Sequence, residues 1–319
     1  MRPECGPSIA SRTRKTTPPR AAVGVDAVGV DMSRNGIDMT SPTEGAPGSR
    51  LPGSVRALLV AGAALFCVVQ PALLFGAGLP LLDTIALAVL LVAMPAFALA
   101  QVPLVAGTPV ERLPAYWSSI ATLWVLGAAC WLVGTRSGGP AAVGMVAMPL
   151  GPLSLWSVGL TLAGLATLVV FRAVLGAAGA SESPILRQLL PRSGQERRVF
   201  ALLSLTAGVC EELAYRGYAI PILATIMGSP GAAVVTSLVF GILHGYQGLL
   251  GSLRTAIMGG ILAWGFLASG SLLPAIIAHA LIDLVAGLLL GERLLPPDGT
   301  SERAGVAQDD PLFSETREP

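Results

Sequence analysis

Residues 199–223, VFALLSLTAGVCEELAYRGYAIPIL, decide the fold class because they place charged residues in the middle of a long apolar run. About 20 mostly apolar residues are enough for a helix to cross a lipid bilayer. The centre of this run nevertheless carries Glu211, Glu212 and Arg216. Ionisable side chains inside a membrane helix are costly unless they are paired, and they usually mark a functional site. The stretch therefore predicts a membrane helix that carries polar chemistry.

The composition of the whole chain is that of a membrane protein. Of its 319 residues, 53% are hydrophobic and 12% are charged, whereas a soluble domain has about 25% charged residues. Most of the 39 charged residues lie near the two ends, within residues 1–56 and 296–319. The net charge of +1 offers no basic surface for nucleic acid. We therefore expect the lipid bilayer as a partner and exclude nucleic acid.

Eight apolar segments predict an all-α bundle of about eight transmembrane helices. They centre on residues 57–79, 82–106, 115–134, 153–172, 198–220, 230–249, 252–268 and 272–291. Arginine accumulates in cytoplasmic loops, and the even-numbered loops carry seven arginines against one in the odd-numbered loops. The seven are Arg112, Arg172, Arg187, Arg192, Arg197, Arg198 and Arg254, and the one is Arg136. This distribution predicts that both termini are cytoplasmic.

Four regions follow from the distribution of apolar and polar residues. We predict a disordered N-terminal tail over 1–54, a first group of four transmembrane helices over 55–180, a second group over 181–294, and a disordered C-terminal tail over 295–319. Ser193 and Glu196 have the spacing of a capping box that begins the fifth helix. Pro221 is predicted to end that helix, and Pro274 to begin the eighth.

The helical repeat predicts how the buried polar residues pair. Residues four apart share a helix face, so Glu212 and Arg216 are expected to form an ion pair that supports packing. Glu211 points about 100° away and remains available for chemistry. The chain has two histidines, and both lie in predicted spans: His244, four residues after Phe240, and His279, four residues before Asp283. Phe240 and Asp283 are therefore predicted to contact these histidines and orient them.

Two kinds of chemistry fit these residues. Glu211 and His244 can activate a water molecule as general base and proton carrier, while His279 with Asp283 can stabilise an oxyanion. Alternatively, Glu211, His244 and His279 can bind a divalent metal such as zinc, since two imidazoles and a carboxylate are a common catalytic zinc site. The HExxH spacing of many zinc hydrolases is absent. Small residues, namely Gly241, Gly245, Gly259, Gly260 and Gly265, predict close helix packing around the site.

The motifs Glu211–Glu212–x–x–x–Arg216, Phe240–x–x–x–His244 and His279–x–x–x–Asp283 resemble those of the CPBP family of intramembrane proteases. This family, the CAAX protease and bacteriocin-processing or Abi family, includes the type II CAAX prenyl endopeptidases. The resemblance covers roughly residues 185–291 and makes 181–294 the catalytic core. It implies an eight-helix endopeptidase in which Glu211 and His244 activate water and His279 and Asp283 form the oxyanion hole.

The resemblance leaves cofactor and substrate open. A glutamate mechanism requires no cofactor, although the family is often labelled as metalloproteases, so zinc remains an alternative. Asp283 stands where the prenyl-protein enzymes carry asparagine, and orienting His279 is its alternative role. The expected partner is a protein or peptide substrate at the membrane, prenylated or not. With no organellar signal and with arginine far outnumbering lysine, we expect a multi-pass protein of a bacterial cytoplasmic membrane.

Two other functions also fit buried acids and histidines. The same bundle can serve as a non-catalytic membrane scaffold or a bacteriocin-immunity-type protein that binds a partner. A proton-coupled transporter would also need such groups, but the sequence shows no internal repeat of the kind that many transporters are built from.

Overall fold

The computed structural model describes residues 51–179 and 183–291, and its regular structure over these residues is entirely helical. The predicted tails lie outside the described residues, except for 51–54, where the first helix begins. The bundle contains eight helices longer than ten residues within the described ranges. They are α1 (Gly53–Gly76), α2 (Leu81–Val105), α3 (Arg112–Thr135), α4 (Leu150–Ala177), α5 (194–227), α6 (229–243), α7 (Gly248–Ser269) and α8 (Leu273–Leu289). The predicted all-α fold is confirmed.

Helices α5 and α6 follow each other without a loop. The helical stretch Gly194–Leu243 is 50 residues long, and it is divided at Gly228, whose φ of +74° and ψ of 161° are not helical. Glycine adopts positive φ without steric cost, so this residue permits the change of direction. The predicted helix end at Pro221 is wrong. A π-helical segment, Leu213–Ala219, precedes the proline. Pro221 therefore lies in the first turn of the α-helical stretch that follows, a position where proline is tolerated.

The helices are those of a multi-pass integral membrane protein. Among the described residues, six helices are long and apolar enough to cross a membrane when Gly194–Leu243 is taken as one, and Leu273–Leu289 is a shorter apolar helix. Division at Gly228 gives the eight helices above, near the eight predicted positions. The number of crossings, the orientation of the termini and the boundary between 180 and 181 stay predictions.

Helix α5 occupies the centre of the bundle. It packs against α3 on one side and α8 on the other, while α6 packs on α7. All seven residues of its π-helical segment are buried, whereas α1 and its π-helical end bury Val55 alone. The side chains of α5 are therefore surrounded by protein, and those of α1 are left for lipid.

Helix α5 begins as the sequence predicts. The Ser193 hydroxyl accepts a hydrogen bond from the Glu196 amide at 3.2 Å, and the Ser193 amide donates to the Glu196 carboxylate at 2.9 Å. The capping box is therefore confirmed, and it fixes the start of the helix that carries Glu211 and Glu212. Pro274 lies in the first turn of α8, also as predicted.

Arg254, one of the arginines used to predict orientation, lies inside a helix and not in a loop. Arg254 was predicted in a loop, but α7 begins at Gly248, so this residue falls in the second helical turn. It is buried, and its guanidinium donates a hydrogen bond to Gln247 Oε1 at 2.9 Å. Arg254 therefore belongs to the interior of the bundle.

Small residues permit the close approach of helices near the centre. A Cβ atom on Gly241 would lie 2.6 Å from the Ser252 carbonyl oxygen of α7, and one on Gly265 would lie 2.5 Å from the Leu160 side chain of α4. Both distances are shorter than a van der Waals contact. The prediction of close packing at these two glycines is confirmed.

Candidate functional site

Glu212 and Arg216 form a fully buried ion pair on α5. Arg216 Nη1 donates to Glu212 Oε1 at 2.8 Å, and both side chains are 0% exposed. The predicted pair is confirmed. Removing either partner would leave an uncompensated charge in the interior, which is strongly destabilising.

Glu212 has a second partner that the sequence analysis did not predict. The same oxygen, Oε1, lies 2.8 Å from His279 Nδ1 of α8. An ionised carboxylate only accepts hydrogen bonds, so Nδ1 carries the proton and donates. Glu212 therefore orients the His279 ring as well as pairing with Arg216.

Asp283 contacts His279, as predicted, but at the edge of the ring opposite the one that Glu212 holds. Asp283 Oδ2 lies 3.6 Å from His279 Nε2, and its side chain is 38% exposed, whereas Glu212 binds Nδ1 at hydrogen-bond distance. One helical turn brings Asp283 alongside the ring, but on the side of Nε2. Asp283 thus faces the free edge of the imidazole.

Glu211 lies on the same edge of His279. Its Oε2 is 3.7 Å from His279 Nε2, and its side chain retains 17% exposure. Adjacent residues of a helix point about 100° apart, which explains why Glu211 and Glu212 reach opposite nitrogens of one ring. The Nε2 edge is therefore bordered by two partly exposed carboxylates from different helices.

His244 lies directly after α6 and is held by its own helix. Its Nδ1 is 2.8 Å from the Phe240 carbonyl oxygen. A carbonyl oxygen only accepts, so Nδ1 donates and a neutral ring presents Nε2 as an acceptor. The Phe240 ring lies 4.7 Å from the His244 ring and 6.0 Å from the His279 ring, centroid to centroid. Phe240 thus joins the two histidines, as predicted for His244.

Arg216 is enclosed by the neighbours of the site. Its guanidinium carbon lies 4.5 Å from the centre of the Phe240 ring, within the range of a cation–π interaction. A Cβ atom on Gly259 of α7 would lie 2.8 Å from Arg216 Nη2. Only a residue without a side chain leaves room for the guanidinium at this position.

The cluster contains buried polar atoms without hydrogen-bond partners. Within the described residues, these include Glu212 Oε2 and the Nε and Nη2 atoms of Arg216. Buried polar groups are nearly always satisfied in folded proteins, and the exceptions need an explanation. Together with the partly exposed Glu211 carboxylate, they mark the cluster as a candidate functional site.

Five of the predicted site residues contact one another directly, and His244 does not. Glu211, Glu212, Arg216, His279 and Asp283 form one contiguous cluster through α5 and α8. His244 reaches this cluster through the Phe240 ring, and no described carboxylate forms an ion pair with it.

The predicted metal ligands do not form a metal site in this geometry. Across the described ranges, no group of three or more His, Cys, Asp and Glu residues is arranged to hold an ion. His279 directs Nδ1 at Glu212, and His244 directs Nδ1 at a backbone carbonyl. These hydrogen bonds leave Nε2 of both rings for other partners, which is also the usual arrangement of a metal-bound histidine. Metal binding by Glu211, His244 and His279 therefore stays a prediction, and the chemistry below is derived from these side chains alone.

The sequence analysis missed a second buried carboxylate, Asp83. It lies in the first turn of α2, and its carboxylate binds Arg136, with a distance of 2.9 Å from Nη1 to Oδ1. The Tyr218 hydroxyl, in the π-helical segment of α5, donates to the same oxygen at 2.9 Å. One acid at the end of an apolar segment gives no periodic signal, because its partners come from distant parts of the chain.

Residues 194–285 match the family model described as "Rce1-like: Type II CAAX prenyl endopeptidase Rce1-like". The match includes Glu211, Glu212, Arg216, His244, His279 and Asp283. No curated protein and no solved structure matches the chain. The chain therefore contains a domain of the Rce1-like type II CAAX prenyl endopeptidase family, the family predicted from the motifs, and α1 to α4 lie outside the matched residues.

Proposed function

We propose that the protein is an intramembrane endopeptidase that hydrolyses peptide bonds of a membrane-associated protein or peptide. The observation that carries this proposal is the position of Glu211, whose partly exposed carboxylate lies 3.7 Å from His279 Nε2 beside buried polar atoms that lack partners. At this distance Glu211 makes an ionic contact with His279 but no hydrogen bond, so its oxygens can still accept a hydrogen bond from water. It is available to bind and deprotonate a water molecule.

We assign the activation of water to Glu211 and His244. Glu211 takes a proton from water as the oxygen attacks the peptide carbonyl carbon, and His244 accepts a hydrogen bond from that water through Nε2. The C–N bond then breaks, and Glu211 returns the proton to the leaving nitrogen. Water is thereby added across the peptide bond, and Glu211 ends the cycle as a carboxylate.

His279 is assigned to the oxyanion that develops on the carbonyl oxygen. Glu212 holds its Nδ1 and leaves Nε2 directed toward Glu211 and Asp283. An imidazolium at this position donates from Nε2 to the oxyanion, and the surrounding carboxylates balance its charge. Asp283 supports the Nε2 edge of this ring. Glu212 and Arg216 fix the ring without touching the substrate.

The cleavage test compares a glutamine variant with a matched control. The full chain is purified in detergent as wild type, Glu211→Gln and Glu111→Gln; Glu111 is an exposed carboxylate before α3 whose side chain does not cap the helix. Each is incubated with quenched-fluorescent CAAX peptides, farnesylated and unmodified, and with a peptide that carries a transmembrane segment. We expect cleavage by wild type and Glu111→Gln and a loss of about 10²–10⁴-fold in Glu211→Gln.

The remaining arms of the test separate the alternatives. Equal cleavage by wild type and Glu211→Gln would contradict the proposal. If none of the three peptides is cleaved, peptide termini are compared by mass spectrometry in membranes that contain wild type or Glu211→Gln. Identical termini would favour a non-catalytic scaffold. A chelator arm tests metal dependence, and the geometry predicts unchanged cleavage. The peptide that is cleaved reports whether a prenyl group is required.

A further inference from the structure

The helices outside the family match make polar contacts with the helix that carries the site. Tyr218 lies in the π-helical segment of α5, six residues after Glu212, and is buried. Its hydroxyl donates to Asp83 of α2 at 2.9 Å. Asp83 is itself buried and pairs with both Nη atoms of Arg136, which follows α3. These three residues, the Asp83 cluster, connect α2, α3 and α5.

Unlike the candidate functional site, the Asp83 cluster has a hydrogen-bond partner for every carboxylate oxygen. Both carboxylate oxygens of Asp83 have partners, and Asp83 lies in the first turn of α2, where the helix dipole favours a negative charge. The hydrogen bond to Asp83 raises the pKa of the Arg136 guanidinium above its ordinary value. Asp83 is buried with a partner on each oxygen, so its effect on chemistry has to act through position.

Two further contacts hold the same segment. The Tyr215 hydroxyl donates to the Leu90 carbonyl oxygen of α2 at 3.5 Å. A Cβ atom on Gly217 would lie 2.7 Å from the Val143 carbonyl oxygen, so the connection between α3 and α4 presses directly on the π-helical segment. That connection also binds the start of α8, where the Leu272 amide donates to the Gly144 carbonyl oxygen at 2.7 Å.

The π-helical segment is the part of α5 that sets the position of Arg216. Arg216 shares Glu212 Oε1 with His279 Nδ1, so a rotation of the segment would be transmitted to the His279 ring. π-Helical segments are less stable than α-helix and persist where surrounding contacts hold them. Asp83 and Leu90 accept hydrogen bonds from this segment, and the Val143 carbonyl packs against it. These three residues lie outside 194–285, while Phe240 and Leu272 contact the segment from within the matched residues.

We propose that Asp83 and Tyr218 are positioning residues, through which α2 and α3 fix the π-helical segment of α5 and thereby the His279 ring. This inference assigns a role to the helices outside the Rce1-like domain. The expected change in kcat rests on the proposed peptidase function, whereas the expected change in the NMR signals of His279 does not.

The variant Tyr218→Phe tests the inference with the smallest change. It removes one hydroxyl and leaves the Asp83–Arg136 pair intact. Tyr116→Phe is the matched control, because Tyr116 is also buried and its hydroxyl donates to a backbone carbonyl, that of Leu189, at 2.6 Å. Tyr116 contacts α5 only near its start, at Phe200. Asp83→Asn is a second, stronger variant.

Three quantities are measured on each full-length variant in detergent: kcat and KM for the cleaved peptide, the thermal unfolding midpoint, and the imidazole nitrogen NMR signals. The chain has two histidines, so ¹⁵N-histidine labelling of protein purified through a histidine-free tag gives two rings to resolve. His244→Gln identifies the His279 signals. These signals report the Nδ1 hydrogen bond to Glu212 whether or not any peptide is cleaved.

For Tyr218→Phe we expect shifted His279 signals and a fall in kcat of about tenfold to a hundredfold with little change in KM, because a displacement on the order of 1 Å at a catalytic group has effects of this size. Tyr116→Phe should leave both unchanged. If Tyr218→Phe lowers the unfolding midpoint as Tyr116→Phe does but leaves the His279 signals and kcat at wild-type values, the inference is overturned. If wild type cleaves none of the peptides and the peptide termini in membranes are also unchanged, the proposed function fails and the NMR result alone decides the inference.

Discussion

The bundle contains two buried clusters built around carboxylates, and they differ in how completely they are satisfied. In the Asp83 cluster, every carboxylate oxygen has a partner. In the Glu211–Glu212 cluster, Glu212 Oε2 and two nitrogens of Arg216 lack partners, and Glu211 stays outside hydrogen-bond distance of His279. Burial of charge is common to both clusters. Of the two, the Glu211–Glu212 cluster combines it with unsatisfied polar atoms and a partly exposed acid, and these features support the proposed chemistry there.

The largest expected effect is a loss of kcat when either histidine near the Glu211–Glu212 cluster is replaced. We expect His244→Ala to lower kcat by about 10²–10⁴-fold, since it removes the group that orients water, and His279→Ala to lower it similarly by removing the oxyanion donor. Steady-state kinetics of the purified variants measures this. If either variant retains wild-type kcat, that histidine has no catalytic role.

Substitutions in the Asp83 cluster should lower the stability of the protein. We expect Asp83→Ala to lower the free energy of unfolding by about 1–3 kcal/mol, because it leaves the buried Tyr218 hydroxyl without its acceptor. The exposed Arg136 guanidinium remains solvated in this variant. Thermal or denaturant unfolding in detergent measures the change. Arg136→Ala in the same background should then cost little more, since the pair is already broken. Additive losses would show that the two residues do not act as a pair.

The Arg216 side chain can be displaced without altering any polar residue. In Gly259→Ala the new methyl group would lie 2.8 Å from Arg216 Nη2, whereas in Gly260→Ala the nearest atom is 3.9 Å away. Overpacking of this kind typically costs about 1–3 kcal/mol. We expect Gly259→Ala to be less stable and less active and Gly260→Ala to behave as wild type. Equal behaviour of the two variants would contradict the placement of Arg216 against α7.

The smallest effect is expected at the start of α5. Ser193→Ala removes the cap from the Glu196 amide and should cost about 1 kcal/mol of stability. The cap lies about five helical turns before Glu211, so kcat should not change. A fall in kcat at full occupancy of the folded state would indicate that the helix start is coupled to the site.

Much of the site could be predicted from the sequence because its pairs are local. Glu212 with Arg216 and Phe240 with His244 are four residues apart, a spacing that the helical repeat converts into contact. The hydrogen bond from His279 to Glu212 could not be predicted, because it depends on how α8 packs against α5. The position of Asp283 at the Nε2 edge of His279 could not be predicted for the same reason.

The fold shows the same division between local and distant information. Apolar runs identified the helices, and the capping box identified the start of α5. The break at Gly228 instead of Pro221 depends on the π-helical segment, which is held by residues of α2 and of the α3–α4 connection. Asp83 could not be recognised for a related reason, since its partners Arg136 and Tyr218 are 53 and 135 residues away.

The central claim is that the Glu211–Glu212 cluster performs chemistry, whereas the Asp83 cluster stabilises the fold. It is tested most directly by measuring kcat and the unfolding midpoint on the same preparations of Glu211→Gln and Asp83→Ala. We predict that Glu211→Gln loses cleavage and keeps or raises the wild-type midpoint, and that Asp83→Ala has a clearly lower midpoint with a smaller loss of kcat. A Glu211→Gln protein that cleaves as wild type and unfolds at a lower temperature would contradict the claim.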